Sequence, residues 1–353
     1  MRILAAGDHF VLPGLLRTAL REELGTAEEP GGAVEIGELT LPWPHEPFGP
    51  VGDVHEASGT EEQMIAALDG AALCVTQMAP FTERVFAACP ELRMVAVSRG
   101  GPVNVDLAAA TRHGVAVSFA PGRNAPAAAE FAVGLMLTAM RRITTADAEL
   151  KRGTWRGDFY AYDEAGTELD GATVGLVGYG AIGRIVARVL RAFGAHVLVA
   201  DPYTDPVAAR ADGVEPVSLD QLLTRSSVVS LHARLTPETH HLIDAEKLKL
   251  LPEGAVLVNS ARGGLLDYAP LPGLLRSGRI GALGLDVYDI EPPPADWELH
   301  RAPNVVTAPH LAGATRQTAH RAAAITAAEA GRFVRGEKLA HPANPEVQEA
   351  ARP

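Results

Sequence analysis

The sequence is poor in the residues that would specify several classes of protein. Only two of its 353 residues are cysteines, Cys74 and Cys89, too few for a disulfide framework or a four-ligand zinc site. Both lie in apolar stretches, and we expect them to be small core residues. No apolar run approaches the roughly 20 residues of a membrane-spanning helix, and the short apolar start is cut by Asp8 and His9, unlike a signal peptide. We therefore expect a cytoplasmic protein with no membrane partner and no metal.

Positive charge is also scarce. The chain has 31 Lys and Arg against 43 Asp and Glu, a formal net charge of −12, and few basic clusters. This balance disfavours a nucleic-acid partner, whose phosphates require a basic surface. The remaining composition, 47% hydrophobic and 21% charged, is that of an ordinary globular protein, and the length fits about two domains. A small molecule is the expected partner.

The sequence does contain short β-rich runs that alternate with segments of helical length. A first series lies at 1–7, 71–77, 92–100 and 115–121, and a second at 172–178, 196–201, 227–233, 255–261, 282–288 and 304–310. Such alternation predicts parallel sheets covered by helices. The expected fold class is α/β, with two Rossmann-like, doubly wound parallel-sheet domains and a cleft between them.

Two long helical segments separate the two series. Residues 124–142 are apolar with Pro126 in the first turn, and a second helix near 315–335 has a candidate cap at Thr315 and a stop at Gly336. The chain is therefore expected to cross twice between domains, one made of 1–121 with 314–353 and the other of 122–313. The polar, proline-containing segment 341–353 is expected to be loose.

A glycine-rich turn, "TVGLVGYGAIGR" (173–184), connects a strand to a helix in the second series. Gly178 permits a tight turn, Gly180 lets a pyrophosphate approach the backbone, and Gly183 allows the helix to pack closely on the strand. The amides near Ala181 and Ile182 would point at the phosphates from the helix N-terminus.

An acidic residue completes this pattern. Asp201 ends the next strand, 23 residues after Gly178, where a carboxylate can accept hydrogen bonds from the adenosine ribose. It would also repel a 2′-phosphate, which favours NAD over NADP. A turn with no ligand, or one that serves a methyltransferase or a flavoprotein, is the alternative interpretation.

Three polar residues follow apolar strands further along, where open α/β sheets bind ligands. Arg262 in "VNSARGG" could offer its guanidinium to a planar carboxylate. His310 in "TAPHLAGA" can exchange a proton near neutral pH, and Glu291 beside it would favour the imidazolium form. Each residue alone is as consistent with a turn, a structural histidine or a solvated loop; together they indicate a catalytic site.

The chain resembles the D-isomer-specific 2-hydroxyacid dehydrogenase family over nearly its whole length. The resemblance rests on "SRGGPVNVDL" (98–107), "NAPAAAEFAVGLML" (124–137), the glycine turn, "SLHARLTPETHHLI" (230–243), "LVNSARGGLLD" (257–267), "GLDVYDIEP" (284–292) and "NVVTAPHLAGAT" (304–315). It implies a homodimer, a flavodoxin-like substrate-binding domain at 1–121 with 314–353, and an NAD-binding Rossmann domain at 122–313.

The resemblance also implies roles for individual residues. Arg262 would hold the substrate carboxylate and polarise its keto oxygen, His310 would donate or accept the proton, and Glu291 would pair with His310. Asp286 would bind the nicotinamide carboxamide. The dinucleotide would also be lined by Ala233, Ser260 and Gly313, and the substrate carboxylate by amides around Gly100 and Gly101.

Several features leave alternatives open. Arg99 would bind a second anionic group or form a surface salt bridge, and segment 151–171 would be a dimer arm or a packed surface loop. The predicted function is reversible, NAD-dependent hydride transfer on a 2-hydroxy acid, in particular a phosphorylated or dicarboxylic one similar to 3-phosphoglycerate. The alternative is an NAD(H)-sensing corepressor on the same scaffold. We expect no regulatory domain after the last helix.

Overall fold

The computed structural model describes residues 1–25 and 34–350, with side chains described as far as residue 347. The chain divides into two compact units. Unit 1 comprises Met1–Asn124 and Ala314–Pro353, and unit 2 comprises Ala125–Gly313. Each unit has its own parallel sheet.

The strands are short and almost entirely buried in the centre of each sheet. They are β1 (Arg2–Gly7), β2 (Glu35–Thr40), β3 (Ala71–Thr76), β4 (Met94–Val97), β5 (Ala116–Phe119), β6 (Thr173–Val177), β7 (His196–Ala200), β8 (Glu215–Pro216), β9 (Val228–Leu231), β10 (Ala255–Asn259), β11 (Ile280–Leu285) and β12 (Val305–Thr307).

The helices alternate with these strands. They are α1 (Pro13–Leu24), α2 (Glu61–Ala67), α3 (Glu83–Ala88), α4 (Leu107–Arg112), α5 (Ala125–Met140), α6 (Ile143–Lys151), α7 (Ala181–Ala192), α8 (Pro206–Ala211), α9 (Leu219–Arg225), α10 (Ala245–Leu250), α11 (Leu271–Arg276), α12 (Arg316–Val334) and α13 (Pro345–Ala350).

Unit 1 is built on a five-stranded parallel sheet in the order β2-β1-β3-β4-β5. All neighbouring strands run parallel, so their carboxyl ends lie at one edge of the sheet. Helices α1 and α12 pack against each other, and α12 also packs on β3 and β4. The predicted cap of α12 is confirmed, because the Thr315 hydroxyl accepts the Thr318 amide at 3.1 Å.

The prediction that segment 341–353 is loose is wrong for its first ten residues. Asn344 is buried, and its side chain accepts the Val117 amide at 2.8 Å and donates to the Val115 carbonyl at 2.9 Å. The Asn344 side chain therefore satisfies two backbone groups at the edge strand β5. Helix α13 begins at the next residue. Residues 351–353 lie outside the described residues.

Unit 2 contains a seven-stranded parallel sheet in the order β12-β11-β10-β9-β6-β7-β8. The apolar helix α5 packs on β10, β11 and α7, and it supplies Ala132, Leu135, Met136 and Ala139 to the core. Because chain order reverses beside β6, the carboxyl ends of β6 and β9 flank a switch point where ligands bind in such folds. The predicted fold class, two α/β parallel-sheet domains, is confirmed.

Among the described residues, no helix is both long and apolar enough to cross a lipid bilayer.

Candidate active site

The carboxyl ends of three neighbouring strands in unit 2 bring the predicted catalytic residues together. Arg262 follows β10, Glu291 follows β11 and His310 follows β12, and these strands are adjacent in the sheet. Asn259 Nδ2, at the end of β10, donates to the Arg262 carbonyl at 2.9 Å and holds the loop that follows that strand. The loops after β11 and β12 are joined by Tyr288 Oη, which donates to the Ala308 carbonyl at 2.8 Å. The sheet and these hydrogen bonds therefore fix the backbone positions of the three residues.

His310 and Glu291 are in direct contact. Nδ1 of the imidazole lies 2.8 Å from Oε2 of the carboxylate, and Oε1 accepts the Tyr288 amide at 3.1 Å. Burial raises the pKa of Glu291, but the hydrogen bond and charge of His310, the Tyr288 amide and the charge of Arg262 outweigh it, so the net pKa is lowered. Glu291 is accordingly an anion at neutral pH, held at both oxygens.

His310 has an unusual backbone. Its φ is +55°, a left-handed conformation that costs free energy for a residue with a side chain. The conformation is held because the His310 amide donates to the Asp286 carbonyl, and the next two amides, of Leu311 and Ala312, donate to the Asp286 carboxylate at 2.7 and 2.8 Å. Asp286 is fully buried. It therefore sets the course of the loop that carries the histidine.

Arg262 is exposed and lies close enough for its charge to act on Glu291. Its position depends on the next residue, Gly263. A Cβ at Gly263 would overlap the Tyr288 carbonyl, so only glycine lets the loop after β10 lie against the loop after β11. The Arg262 guanidinium donates to the Ala261 carbonyl at 2.6 Å, which leaves further N–H groups for an anion.

The glycine turn after β6 has the geometry of a dinucleotide cradle. Gly178 has φ +101°, and a Cβ there would meet the Ala233 amide at 2.6 Å. A Cβ at Gly183 would overlap the Gly178 carbonyl, whereas Gly180, the N-cap of α7, faces open space. Amides at the start of α7, including those of Ala181 and Ile182, are available for a phosphate at this end.

Asp201 is tied to the same turn. Its Oδ2 accepts the Tyr179 amide at 2.7 Å and its Oδ1 accepts the Tyr203 amide at 2.9 Å. The carboxylate is therefore fixed beside the glycines, and its remaining lone pairs can accept ribose hydroxyls. The residues present fit a dinucleotide at this turn.

The other predicted residues lie as follows. Ala233 follows β9 and is in close approach to Gly178, Ser260 follows β10, and Gly313 is the last residue of unit 2. Arg99, Gly100 and Gly101 belong to unit 1, after β4. Arg99 forms an ion pair with Glu56 at 3.1 Å, whereas Gly100 and Gly101 have open space around them.

Sequence reasoning missed the residues that support this site. The buried Tyr268 donates to the Val287 carbonyl at 2.9 Å, and Asn259 both holds the Arg262 loop and accepts the Ala261 amide. Asn259 stands in the quoted motif "LVNSARGG", but its role depends on a long-range fold that no local pattern reveals.

An α/β unit with a dinucleotide turn and an Arg–Glu–His set at its strand ends defines a class of nucleotide-dependent oxidoreductases. Residues 133–312 match the family described as "D-isomer specific 2-hydroxyacid dehydrogenase, NAD binding domain". The chain belongs to the D-isomer-specific 2-hydroxyacid dehydrogenase family. The cofactor of this domain is NAD.

Individual proteins with similar sequences are named as dehydrogenases or reductases of 2-hydroxy acids. The chain is 42% identical to D-3-phosphoglycerate dehydrogenase of Mycobacterium bovis over 77% of its own length and 52% of the relative. It is 39% identical to glyoxylate reductase of Korarchaeum cryptofilum, over 76% of this chain and 81% of that one. The chain spans about half the length of the phosphoglycerate dehydrogenases it matches.

A similar fold is present in a solved structure. The TT0316 protein from Thermus thermophilus superposes with a TM-score of 0.77 at 30% identity, covering 97% of this chain and all of the other.

Proposed function

We propose that the protein is an NAD-dependent D-2-hydroxyacid dehydrogenase that interconverts a 2-hydroxy acid and the corresponding 2-keto acid. The observation that carries the proposal is the 2.8 Å contact between His310 and Glu291, formed at the strand ends next to Arg262. A dyad of this kind supplies a proton donor with a fixed orientation, and an arginine beside it supplies the complementary group for a carboxylate.

The chain's residues divide the chemistry as follows. Arg262 binds the substrate carboxylate and polarises the carbonyl. With Nδ1–H held by Glu291, the Nε2–H of protonated His310 is the group that donates to the carbonyl oxygen as it becomes a hydroxyl; in the reverse direction neutral Nε2 accepts the hydroxyl proton. When bound, NAD supplies the hydride acceptor and NADH the hydride donor. The carboxylate of Glu291 holds the imidazole of His310 in one orientation through its contact with Nδ1.

We assign cofactor binding to unit 2. Gly178, Gly180, Ala181, Ile182 and Gly183 would hold the pyrophosphate, and Asp201 the adenosine ribose. Further contacts are proposed for Ala233, Ser260, Asp286 and Gly313. The double amide bonding of Asp286 adds a second role, since the same carboxylate holds the His310 loop.

Substrate binding is assigned to unit 1 together with Arg262. The amides around Gly100 and Gly101 would bind the carboxylate, and Arg99 would contribute positive charge to a second anionic group. We propose a phosphorylated or dicarboxylic 2-hydroxy acid, a class to which the similarity to D-3-phosphoglycerate dehydrogenases also points.

The proposal includes a cytoplasmic homodimer. The free thiols Cys74 and Cys89 suit a reducing compartment. In segment 151–171, Trp155, Tyr160 and Tyr162 are each at least 80% exposed, and apolar surface of this kind is typical of a subunit contact.

The experiment is a spectrophotometric assay at 340 nm with NADH and five 2-keto acids: glyoxylate, pyruvate, hydroxypyruvate, 2-oxoglutarate and phosphohydroxypyruvate. We expect NADH oxidation with at least one acid, and loss of that activity in His310→Gln with NADH binding retained. Inactivity of the wild-type protein with all five acids, while it still binds NADH, would instead indicate a protein that senses the dinucleotide.

A further inference from the structure

Buried polar atoms without partners collect at one edge of the unit 1 sheet. Among the described residues, no hydrogen-bond partner exists for Asp8 Oδ2, Gln77 Oε1, Ser98 Oγ, or the Nε and Nη1 atoms of Arg123. These residues follow β1, β3, β4 and β5, which are consecutive neighbours in the sheet. Parallel strands place their carboxyl ends together, so the four residues share one edge.

Such a cluster is costly to leave unsatisfied. Asp8, Gln77 and Ser98 are at most 3% exposed, and a buried polar atom without a partner has lost its hydrogen bonds to water with nothing in return. Unsatisfied buried groups are rare in folded proteins and call for a ligand, water or ion to complete them. The unsatisfied atoms of this cluster include oxygen acceptors and the cationic N–H donors of Arg123.

Arg123 is a buried cation at this edge. Its guanidinium lies 5.8 Å from the centre of the Phe10 ring, and its backbone carbonyl accepts Arg321 Nε at 2.8 Å. Burial and the nearby charge of Arg99 lower the pKa of Arg123 to about 10, with Asp8 acting in the opposite sense. The guanidinium is thus positively charged at neutral pH, and its position is held by its backbone and by an aromatic face.

Arg99, which the sequence analysis singled out for a second anionic group, is already engaged. Glu56 lies 3.1 Å from its guanidinium. The two arginines also repel each other, as the pKa of Arg123 reflects. An anion between them would relieve this repulsion, and it would also supply the partner that the buried Nε and Nη1 atoms of Arg123 lack among the described residues.

Asp8 adds a second requirement to the ligand. Its Oδ1 accepts the amides of Phe10 and Val11, both at 2.8 Å, which fixes the carboxylate in the turn after β1. Oδ2 needs a hydrogen-bond donor, and burial raises the pKa of this carboxyl group. A ligand that fits must therefore present negative charge to Arg123 and an O–H to Asp8. The monoanion of a phosphate monoester carries both, and it remains accessible at neutral pH because the second pKa is near 6, whereas a carboxylate, with a pKa near 4, would have to lose its charge to gain an O–H.

We propose that Arg123 is a specificity-determining residue that binds a phosphate group on the tail of the substrate, with Asp8 accepting a hydrogen bond from the same group. The proposal rests on the proposed function and adds to it the residue that distinguishes a phosphorylated substrate from its unphosphorylated counterpart.

The test compares substrates that differ in the tail alone. The KM for phosphohydroxypyruvate, hydroxypyruvate, 2-oxoglutarate and glyoxylate is measured with NADH for the wild-type protein and Arg123→Met. We expect a 10- to 100-fold rise in KM for phosphohydroxypyruvate, the scale of a lost charged hydrogen bond, and unchanged constants for hydroxypyruvate and glyoxylate. Arg123→Lys should restore part of the affinity.

Arg93→Met is the matched control. Arg93 lies in unit 1 just before β4, at the opposite edge of the sheet, and its Nη1 donates to the Pro90 carbonyl. The Arg93→Met variant should keep the wild-type KM for all four substrates. The melting temperature of Arg123→Met should equal or exceed that of the wild type, because the substitution removes a buried charge whose Nε and Nη1 atoms have no hydrogen-bond partner among the described residues.

The outcomes are distinct. An equal rise in KM for all four substrates, or none for phosphohydroxypyruvate, overturns the assignment of Arg123 while leaving the proposed function intact. A rise in KM confined to 2-oxoglutarate assigns Arg123 to a carboxylate and also overturns the phosphate proposal.

If no 2-keto acid is reduced, the proposed function fails, and calorimetric titration with 3-phosphoglycerate tests the phosphate site by itself. Binding to the wild type but not to Arg123→Met supports the site. Equal binding to both proteins, or binding to neither, overturns the site.

Discussion

Nδ1 of His310 lies 2.8 Å from Oε2 of Glu291, and the other oxygen of that carboxylate accepts the Tyr288 amide. The pair is thus fixed from both sides: Glu291 by the loop after β11, and His310 by its left-handed backbone and the amides that follow it. This leaves Nε2 as the nitrogen of the imidazole that is not committed to Glu291. Orientation of this kind is what a general acid requires, because a misplaced proton donor contributes little.

Replacement of His310 by glutamine should remove the proton donor while keeping a polar side chain. We expect turnover to fall by roughly 10²- to 10⁴-fold, the usual contribution of a general acid, with the dissociation constant for NADH nearly unchanged. Steady-state kinetics and NADH fluorescence titration measure the two quantities. His320→Gln, at an exposed position on α12, is the control; unchanged turnover in His310→Gln would remove His310 from the mechanism.

Arg262→Lys tests the carboxylate contact. A lysine keeps the charge but cannot form the paired N–H contacts of a guanidinium, so the protein should remain folded while kcat/KM falls by at least 10-fold. Arg279→Lys is a suitable control, because Arg279 precedes β11 at the opposite end of the strand and donates to the Lys249 carbonyl. Equal kcat/KM in the wild type and Arg262→Lys would show that bidentate binding is not needed.

Gly263→Ala tests whether the close approach of two loops positions Arg262. The added methyl group would overlap the Tyr288 carbonyl, and the backbone must move to avoid it at a cost of about 1–3 kcal/mol. We expect kcat/KM to fall at least 10-fold and unfolding in urea to occur at a lower concentration.

Gly273→Ala is the control for that substitution. Gly273 lies within helix α11, and an added Cβ meets nothing within 4 Å. This change should raise stability by about 0.5–1 kcal/mol and leave kcat/KM unchanged. If both alanine variants retain full activity, the contact between Gly263 and Tyr288 does not determine the position of Arg262.

Asp201→Ser tests the source of cofactor preference. Loss of the carboxylate removes the ribose acceptor and the repulsion of a 2′-phosphate, so the ratio of kcat/KM for NADH over NADPH should narrow by at least 10-fold. Asp205→Ser serves as the control, since Asp205 caps α8 by accepting the Val207 amide and serine can do the same. An unaltered ratio in Asp201→Ser would assign the preference to other residues.

Much of the fold could be predicted because its signals are local. Strands buried on both faces are short apolar runs, and helix ends carry their own marks, as at Thr315, which caps α12 as predicted. The error at residues 341–350 has a physical cause: Asn344 is a polar residue in a proline-containing segment, and its burial depends on backbone groups at the outer side of the edge strand β5, which is distant in sequence.

The site could be predicted only in part for the same reason. Arg262, Glu291 and His310 follow recognisable strands, and the contact between Glu291 and His310 matches the expectation from their positions. The left-handed backbone of His310 could not be foreseen, and neither could the lack of hydrogen-bond partners at Nε and Nη1 of Arg123 among the described residues. Whether an arginine has a partner depends on which side chains surround it in the folded chain, and sequence alone drew attention to Arg99, which the structure pairs with Glu56.

The last prediction concerns acid stability and a buried histidine at the end of β9. Burial lowers the pKa of His232 from 6.5 to about 4, and its Nε2 has no hydrogen-bond partner among the described residues. Between pH 6.5 and 4 the unfolded chain therefore binds a proton that the folded chain does not. Since stability rises with pH wherever the unfolded state binds more protons, the free energy of unfolding should fall as the pH drops through this window.

The pKa shift of His232 sets the size of this loss: the free energy of unfolding should fall by up to about 3 kcal/mol between pH 6.5 and 4. In His232→Gln, which does not titrate, urea unfolding at a series of pH values should show a shallower loss of stability across this window. His196→Gln, at the exposed start of β7, should keep the wild-type slope. Identical slopes for the wild type and His232→Gln would mean that His232 is protonated in the folded protein as readily as in the unfolded chain, and that its burial does not exclude the charge.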